Sequence, residues 1–306
     1  MTSKIKKIKL KGNESFNFRE GWLRKGMRQI DACPDFFSRS DAMELLGVGS
    51  KMAKSIRYWL LATGIAEEKI IENRRTKGLY LTTFGKLLQE YDPYFEDEFT
   101  LYLLHYHIVT NEKLCIAWQI FFDEFNGKDF TRDNLNEMSK MFLTKRLEQN
   151  EKFSEKSLES DCASIIKMYS VSEDGLDPED SLACPLQELH LLEKSRNDKN
   201  KYLKTSPKKD QLDALAVMYV MVSNLKKTEK HSVSIKDLQE APGNIGRVFN
   251  LDRVLINEYL DQLRIAGYIT IVRTAGLNIV DLKDSYKQIT PEDIFRIYYK
   301  QHLRLI

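Results

Sequence analysis

The chain has 306 residues, of which 42% are hydrophobic and 30% charged, a balance that suits a folded globular protein and excludes a disordered one. Its 47 basic and 45 acidic residues leave a formal charge of only +2, so a uniformly basic nucleic-acid binder is excluded and every electrostatic reading must be local. The length suggests two or three domains, and no apolar run approaches the roughly 20 residues of a membrane span.

Residues 1–30 hold nine Lys and Arg against Glu14 and Glu20, a local charge of +7. The lysines precede no hydrophobic signal core, so the expected location is cytoplasmic. A first helix is expected over Phe18–Ala32 and a short second one over Ser40–Leu46. Then comes Gly47-Val48-Gly49-Ser50-Lys51-Met52, which looks at first like a phosphate-binding loop. That loop needs a strand before it and the order Gly-Lys-Ser/Thr within it. Here Lys51 follows Ser50 and a helix precedes the glycines, so the reading fails and no nucleotide is expected. The turn of a helix-turn-helix fits instead. Ser50 can cap a helix in which Met52, Ala53, Ile56, Trp59 and Leu60 keep apolar spacing, and Gly64 ends it. The other face carries Lys51, Lys54, Ser55 and Tyr58 with no acid, an arrangement able to approach phosphates and base edges. A strand from Ile65, a basic tip at Asn73–Gly78 with Arg74, Arg75 and Lys77, and a strand over Leu79–Thr82 read as a wing. Residues 1–94 are thus expected to form a winged-helix domain that contacts double-stranded DNA. Winged helices also dock proteins, and that alternative stays open.

Residues 95–200 read as a helical middle domain, with an apolar stretch at Leu114–Phe125 and amphipathic ones at Asn134–Leu147 and Ser157–Tyr169. His105 and His107 are separated by one residue, the spacing of a metal-holding pair beside a tyrosine nucleophile. Such a pair shares a face only on a strand. Phe99–Thr110 lacks breakers and predicts a helix, on which the two rings diverge by roughly 200°. The acids Glu173, Asp174, Asp177 and Asp180 are oxygen ligands suited to Mg²⁺, or a solvated turn. Candidate catalytic residues are therefore His105, His107, Tyr169, Asp174 and Asp177, with Mg²⁺ or Mn²⁺ as the metal they would take. The cysteines Cys33, Cys115, Cys162 and Cys184 have no zinc or redox spacing and read as reduced structural thiols, so no zinc is expected.

The basic stretch Lys194–Lys209 reads as a solvated linker to a C-terminal domain, 201–306. There the first plan recurs: a buried helix over 211–225, a short one over Ser234–Glu240, and a third capped by Asn250. Strands at Ile269–Val272 and Leu277–Val280 flank the tip Arg273–Gly276. The outer face of the third helix includes Asp252, Glu258 and Asp261 beside Arg253 and Asn257, so DNA and protein contact stay equally open there. The predicted fold is mainly α with small β wings, two winged-helix modules flanking a helical middle.

The segments LKGNESFNFREGWLRKGM, DAMELLGVGSKM, DPYFEDEFTLYLLHYHIVT and ACPLQEL, in this order across nearly the whole chain, resemble the bacterial SspB-like family, first defined as a domain of unknown function. The resemblance implies membership of a single-strand DNA phosphorothioation system for anti-phage defence, in which sulfur replaces a non-bridging backbone oxygen. It further implies DNA nicking beside a cysteine desulfurase, an ATPase and a sulfonucleotide-reductase-like enzyme. It carries no catalytic residue onto this chain.

Overall fold

A computed structural model describes residues 5, 8–72, 74–148, 151–171, 183–208, 210–274 and 277–302. The chain is mainly helical with small antiparallel sheets, and it divides into two compact units, Met1–Thr205 and Ser206–Ile306.

The first unit begins with α1 (Trp22–Ala32), α2 (Ala42–Leu46) and α3 (Ser50–Ala62), followed by the hairpin β1 (Ala66–Ile70) and β2 (Lys77–Leu81). Helix α1 starts four residues later than expected, after Gly21 at φ 77°. It buries Trp22, Leu23, Gly26, Met27 and Ile30, a single stripe at helical spacing. Gly26 is where α1 crosses α3: a Cβ there would lie 2.7 Å from Leu60 and 2.9 Å from Ile56. Ser50 does not cap α3. Gly49 holds the cap position, and Ser50 is the first helical residue. The helix ends at Gly64, φ 70°, which turns the chain into β1. Strand β1 pairs with β2 in antiparallel register from Ala66↔Leu81 to Ile70↔Lys77. The Leu79 N–H donates to the Pro34 carbonyl (2.8 Å), tying the hairpin to the loop after α1.

Helix α4 (Thr83–Tyr91) is capped by Thr82, and α5 (Glu98–Val109) by Asp97. Apolar on nearly every side, α5 is buried at all but two of its positions and forms the centre of this unit. Beyond it, α6 (Ile116–Gln119) runs into a π-helical turn, Ile120–Glu124. The Lys204 ammonium closes that turn by donating to the Phe121 and Phe125 carbonyls (2.9 and 3.1 Å). Strand β3 (Asp129–Thr131) leads into α7 (Arg132–Arg146), whose start is a capping box of Thr131 and Asn134; α8 (Glu155–Tyr169) follows, then β4 (Leu192–Lys194) and β5 (Lys201–Lys204).

Two expectations are corrected here. The middle is not purely helical, because β3, β5 and β4 form a three-stranded antiparallel sheet, and most of the supposed linker Lys194–Lys209 belongs to its hairpin. Residues 1–94 and 95–200 also share one unit and one core: Trp59 of α3 meets Trp118 of α6 at 5.6 Å between ring centres, and the Asn111 amide donates to the Ala62 carbonyl (3.2 Å).

The second unit contains α9 (Ala214–Lys227), β6 (Ser232–Ser234), α10 (Ile235–Glu240), α11 (Ile245–Val248), α12 (Arg253–Ile265), β7 (Ile269–Thr274), β8 (Leu277–Leu282) and α13 (Pro291–His302). Its sheet runs β6-β8-β7, all antiparallel. The cap of α12 is Asp252, whose carboxylate accepts from the Val254 and Leu255 N–H groups, and not Asn250, which adopts φ 53° two residues earlier. Helix α13, unforeseen from the sequence, packs on α9.

Candidate nucleic-acid interface

On α3, Lys51 and Lys54 are exposed. No acid stands in the first turn of that helix, and its N-terminal N–H groups add a partial positive charge. Arg57, half-buried on the same side, is engaged by Glu68 of β1. At the hairpin tip Arg74 is held by Asp35 (2.6 Å), whose other oxygen accepts from the Cys33 thiol (3.0 Å). Lys77 lies 3.7 Å from Glu68. Arg75 is exposed, and among the described residues neither it nor Lys51 nor Lys54 forms an ion pair. The unneutralised cations are therefore Lys51, Lys54 and Arg75.

Ser55 and Tyr58 are not on this surface. They are 0% and 3% exposed. The Ser55 hydroxyl donates to the Phe16 carbonyl (2.9 Å), and the Tyr58 hydroxyl donates to the Leu114 carbonyl (2.7 Å). Burial, together with the neighbouring Cys115 thiol, raises the Tyr58 phenol well above its ordinary range. The physical reason is a second layer on α3: residues 8–18 lie across the face that helical spacing alone leaves open.

The two histidines do not converge. His105 is fully buried, its Nδ1 2.8 Å from the Tyr169 hydroxyl and its ring against Phe122. Burial pushes the Tyr169 phenol far up, so it is a core hydroxyl bound to an imidazole and not an available nucleophile. His107 instead packs on Phe84 (4.5 Å), beside Gly64. Asp174 and Asp177 lie outside the described residues. Among those described, no three His, Cys, Asp or Glu side chains gather where they could hold a metal ion. All four cysteines are free thiols, and burial pushes Cys115, Cys162 and Cys184 up to about 12. No described helix is long and apolar enough to cross a membrane.

The sequence-level search missed Asp161. This carboxyl on α8 is 3% exposed and accepts the Lys11 backbone N–H at both oxygens (3.1 and 3.0 Å). Its burial outweighs that hydrogen bond and pushes it up to about 7. An acid within the buried stripe of an amphipathic helix, with Leu158, Cys162 and Ile165, was the available signal.

No curated protein matches the chain. Among solved structures, SspB superposes with a TM-score of 0.86 at 25% identity, over 98% of this chain and 89% of the other. A magnesium-ion-bound SspB structure gives 0.84 at 25% identity, over 98% and 88%. The resemblance to SspB-like proteins thus holds across nearly the full length of both molecules. Residues 10–299 match the family described as "Protein of unknown function (DUF4007)", and the chain belongs to that family.

Proposed function

We propose that this protein is a DNA-binding component of a phosphorothioate modification and defence system, gripping duplex DNA through its N-terminal helix-and-hairpin module, read as a winged helix. The observation that carries the reading is the set Lys51, Lys54 and Arg75: three exposed cations on the third helix and the hairpin tip, none neutralised by a described acid. Phosphate contact by such groups releases counterions, so affinity should fall steeply with salt. The structural likeness to SspB supports the system-level part of the proposal. Cytoplasmic location, and partnership with a cysteine desulfurase, an ATPase and a sulfonucleotide-reductase-like protein, belong to the same proposal.

Single-strand nicking is its finer form. A solved SspB binds magnesium ion, the cofactor type that strand cleavage would use. Supercoiled plasmid incubated with the purified protein and Mg²⁺, Mn²⁺ or EDTA separates the cases. Metal-dependent conversion to open circle supports an intrinsic nickase. Plasmid that is retarded but uncut assigns the protein to recognition, and plasmid neither bound nor cut removes the proposal. The acidic outer face of α12 favours a second role for the C-terminal unit, contact with a protein partner.

A further inference from the structure

The segment covering α3, residues 8–18, has no regular secondary structure, yet hydrogen bonds tie it down at several of its residues. Ahead of it, Ile5 makes a two-sided bridge at the end of α7: its N–H donates to the Arg146 carbonyl (2.9 Å), and its carbonyl accepts from Glu148 (3.3 Å). The Lys11 N–H is held by Asp161. Asn13, fully buried, donates to the Ser164 hydroxyl (3.0 Å), and Asn17 donates to the Ser164 carbonyl (2.9 Å). From the other side, Ser55 and the Trp59 indole of α3 both donate to the Phe16 carbonyl (2.9 and 2.8 Å). Gly12 lies so close to Tyr58 that a Cβ there would meet its ring at 2.5 Å.

Lys11, Glu14 and Ser15 all adopt left-handed backbone, at φ 54°, 51° and 68°. Each such residue costs of order 1 kcal/mol and persists only where the surroundings over-determine it. Lifting the segment away would strand buried Asn13, the Asp161 carboxyl and two donors on α3. It is therefore a built strap and not a cover that swings off. What it leaves outside are Lys9 and Lys11, both exposed, with the Lys9 ammonium 5.6 Å from the centre of the Tyr58 ring; the one acid among residues 8–18 is Glu14.

We propose that this strap is a second phosphate-gripping edge of the nucleic-acid interface, in which Lys9 and Lys11 contact the DNA backbone and Asp161 is a positioning residue acting through the Lys11 N–H. The strap thereby replaces the face of α3 that it buries with a basic edge of its own. The proposal rests on the DNA-binding reading above.

The test is a fluorescence-anisotropy titration of a labelled short duplex with the full chain at several salt concentrations. Three sets of variants are compared with the native protein: Lys51→Ala/Lys54→Ala/Arg75→Ala, Lys9→Ala/Lys11→Ala, and Asp161→Ala alone and combined with the strap pair. Losing two phosphate contacts should weaken binding roughly tenfold or more at 0.1 M salt and flatten the log–log salt slope by up to about 1.8. Asp161→Ala should weaken it in the same direction, and added to the strap pair it should cause no further loss, the non-additivity of residues acting as one unit. Asp161→Asn, which keeps an acceptor oxygen, should restore binding.

A strap pair that binds like the native protein, while the α3 and hairpin triple does not, overturns the proposal and leaves the DNA reading standing. Native protein without salt-dependent binding removes both. Full additivity of Asp161→Ala with the strap pair overturns the positioning role. If Asp161→Ala does not fold, the exposed lysine pair still decides.

Discussion

Both ends of the chain run from a helix through short helices to a longer helix and a hairpin, the second with the extra strand β6, and they present different chemistry on it. On α3 the exposed residues are Ser50, Lys51 and Lys54, and the hairpin tip adds Arg74, Arg75 and Lys77. On α12 the exposed residues are Arg253, Val254, Glu258, Gln262, Arg264 and Ile265, with Asp252 at the cap and Asp261 paired to Arg264. Ile265 is 78% exposed and Val254 66%, while Val272 of β7 is 46% exposed. Carboxylates facing phosphates cost affinity, and exposed aliphatic side chains gain nothing from a polyanion. The two modules thus present different surface chemistry.

The largest expected effect breaks or keeps that asymmetry. Lys51→Ala/Lys54→Ala/Arg75→Ala should lower duplex affinity about 10²-fold or more at 0.1 M salt, the scale of three lost phosphate contacts. Arg253→Ala/Arg273→Ala, cations of the second module, should change it less than twofold. Equal losses from the two sets, measured by anisotropy, would mean that both modules grip DNA.

Each unit has a glycine pressed against backbone. Gly85, in the first turn of α4, has the Ile65 carbonyl oxygen 2.2 Å from where a Cβ would stand; Gly246 of α11 has the Gln239 oxygen at 2.4 Å. In both cases the obstacle is backbone, which cannot rotate away as a side chain would. Gly85→Ala and Gly246→Ala should each destabilise the protein by about 3 kcal/mol, the upper end for overpacking, read by denaturant unfolding. A neutral result for either would show that its helix start can shift freely.

The first unit holds a deeply buried carboxyl pushed up to about 7, Asp161. In the unfolded chain this group titrates near 3.8, so between those values the folded state binds the extra proton. Native stability relative to Asp161→Asn should then fall by about 2 kcal/mol as pH rises from 5 to 7, because ionisation costs more inside the fold than outside it. The facing Tyr58, Cys115 and Cys162 are pushed upward as well and stay neutral across that window. Thermal melts of both proteins at the two pH values measure the difference. A constant gap would mean that the carboxyl is already ionised at pH 5.

Periodicity made α1, α3, α5, α12 and both hairpins legible, since each carries its own apolar stripe or its own turn residues. What escaped is structure made by segments far apart in the chain. Strands β3, β4 and β5 have three or four residues each, too few for a period, and β3 pairs with β5 across about 70 positions. The strap has no period at all. Helical spacing told which side of α3 faces the core but not that a second segment closes the other side, so Ser55 and Tyr58 read as a surface. The pairing of His105 with Tyr169 was equally hidden, because 64 residues separate them. Among the candidate contacts, the lysines of α3 and the tip residues Arg74, Arg75 and Lys77 needed only local signals, and they are the ones found at the surface.

The smallest effect tests that correction directly. Tyr58→Phe keeps the buried ring and removes only the hydroxyl that donates to the Leu114 carbonyl. A buried hydrogen bond of this kind contributes about 1 kcal/mol, so stability should fall by that amount while duplex affinity stays within twofold. A DNA-facing tyrosine would give the reverse, unchanged stability and weaker binding, since its hydroxyl would meet phosphate or solvent and not a carbonyl of the chain. Ser55→Ala should follow Tyr58→Phe, because its hydroxyl likewise ends on a backbone oxygen, that of Phe16. If the pair lowers affinity with the fold intact, the strap lifts off when DNA binds, and Ser55 and Tyr58 join the contact surface of α3.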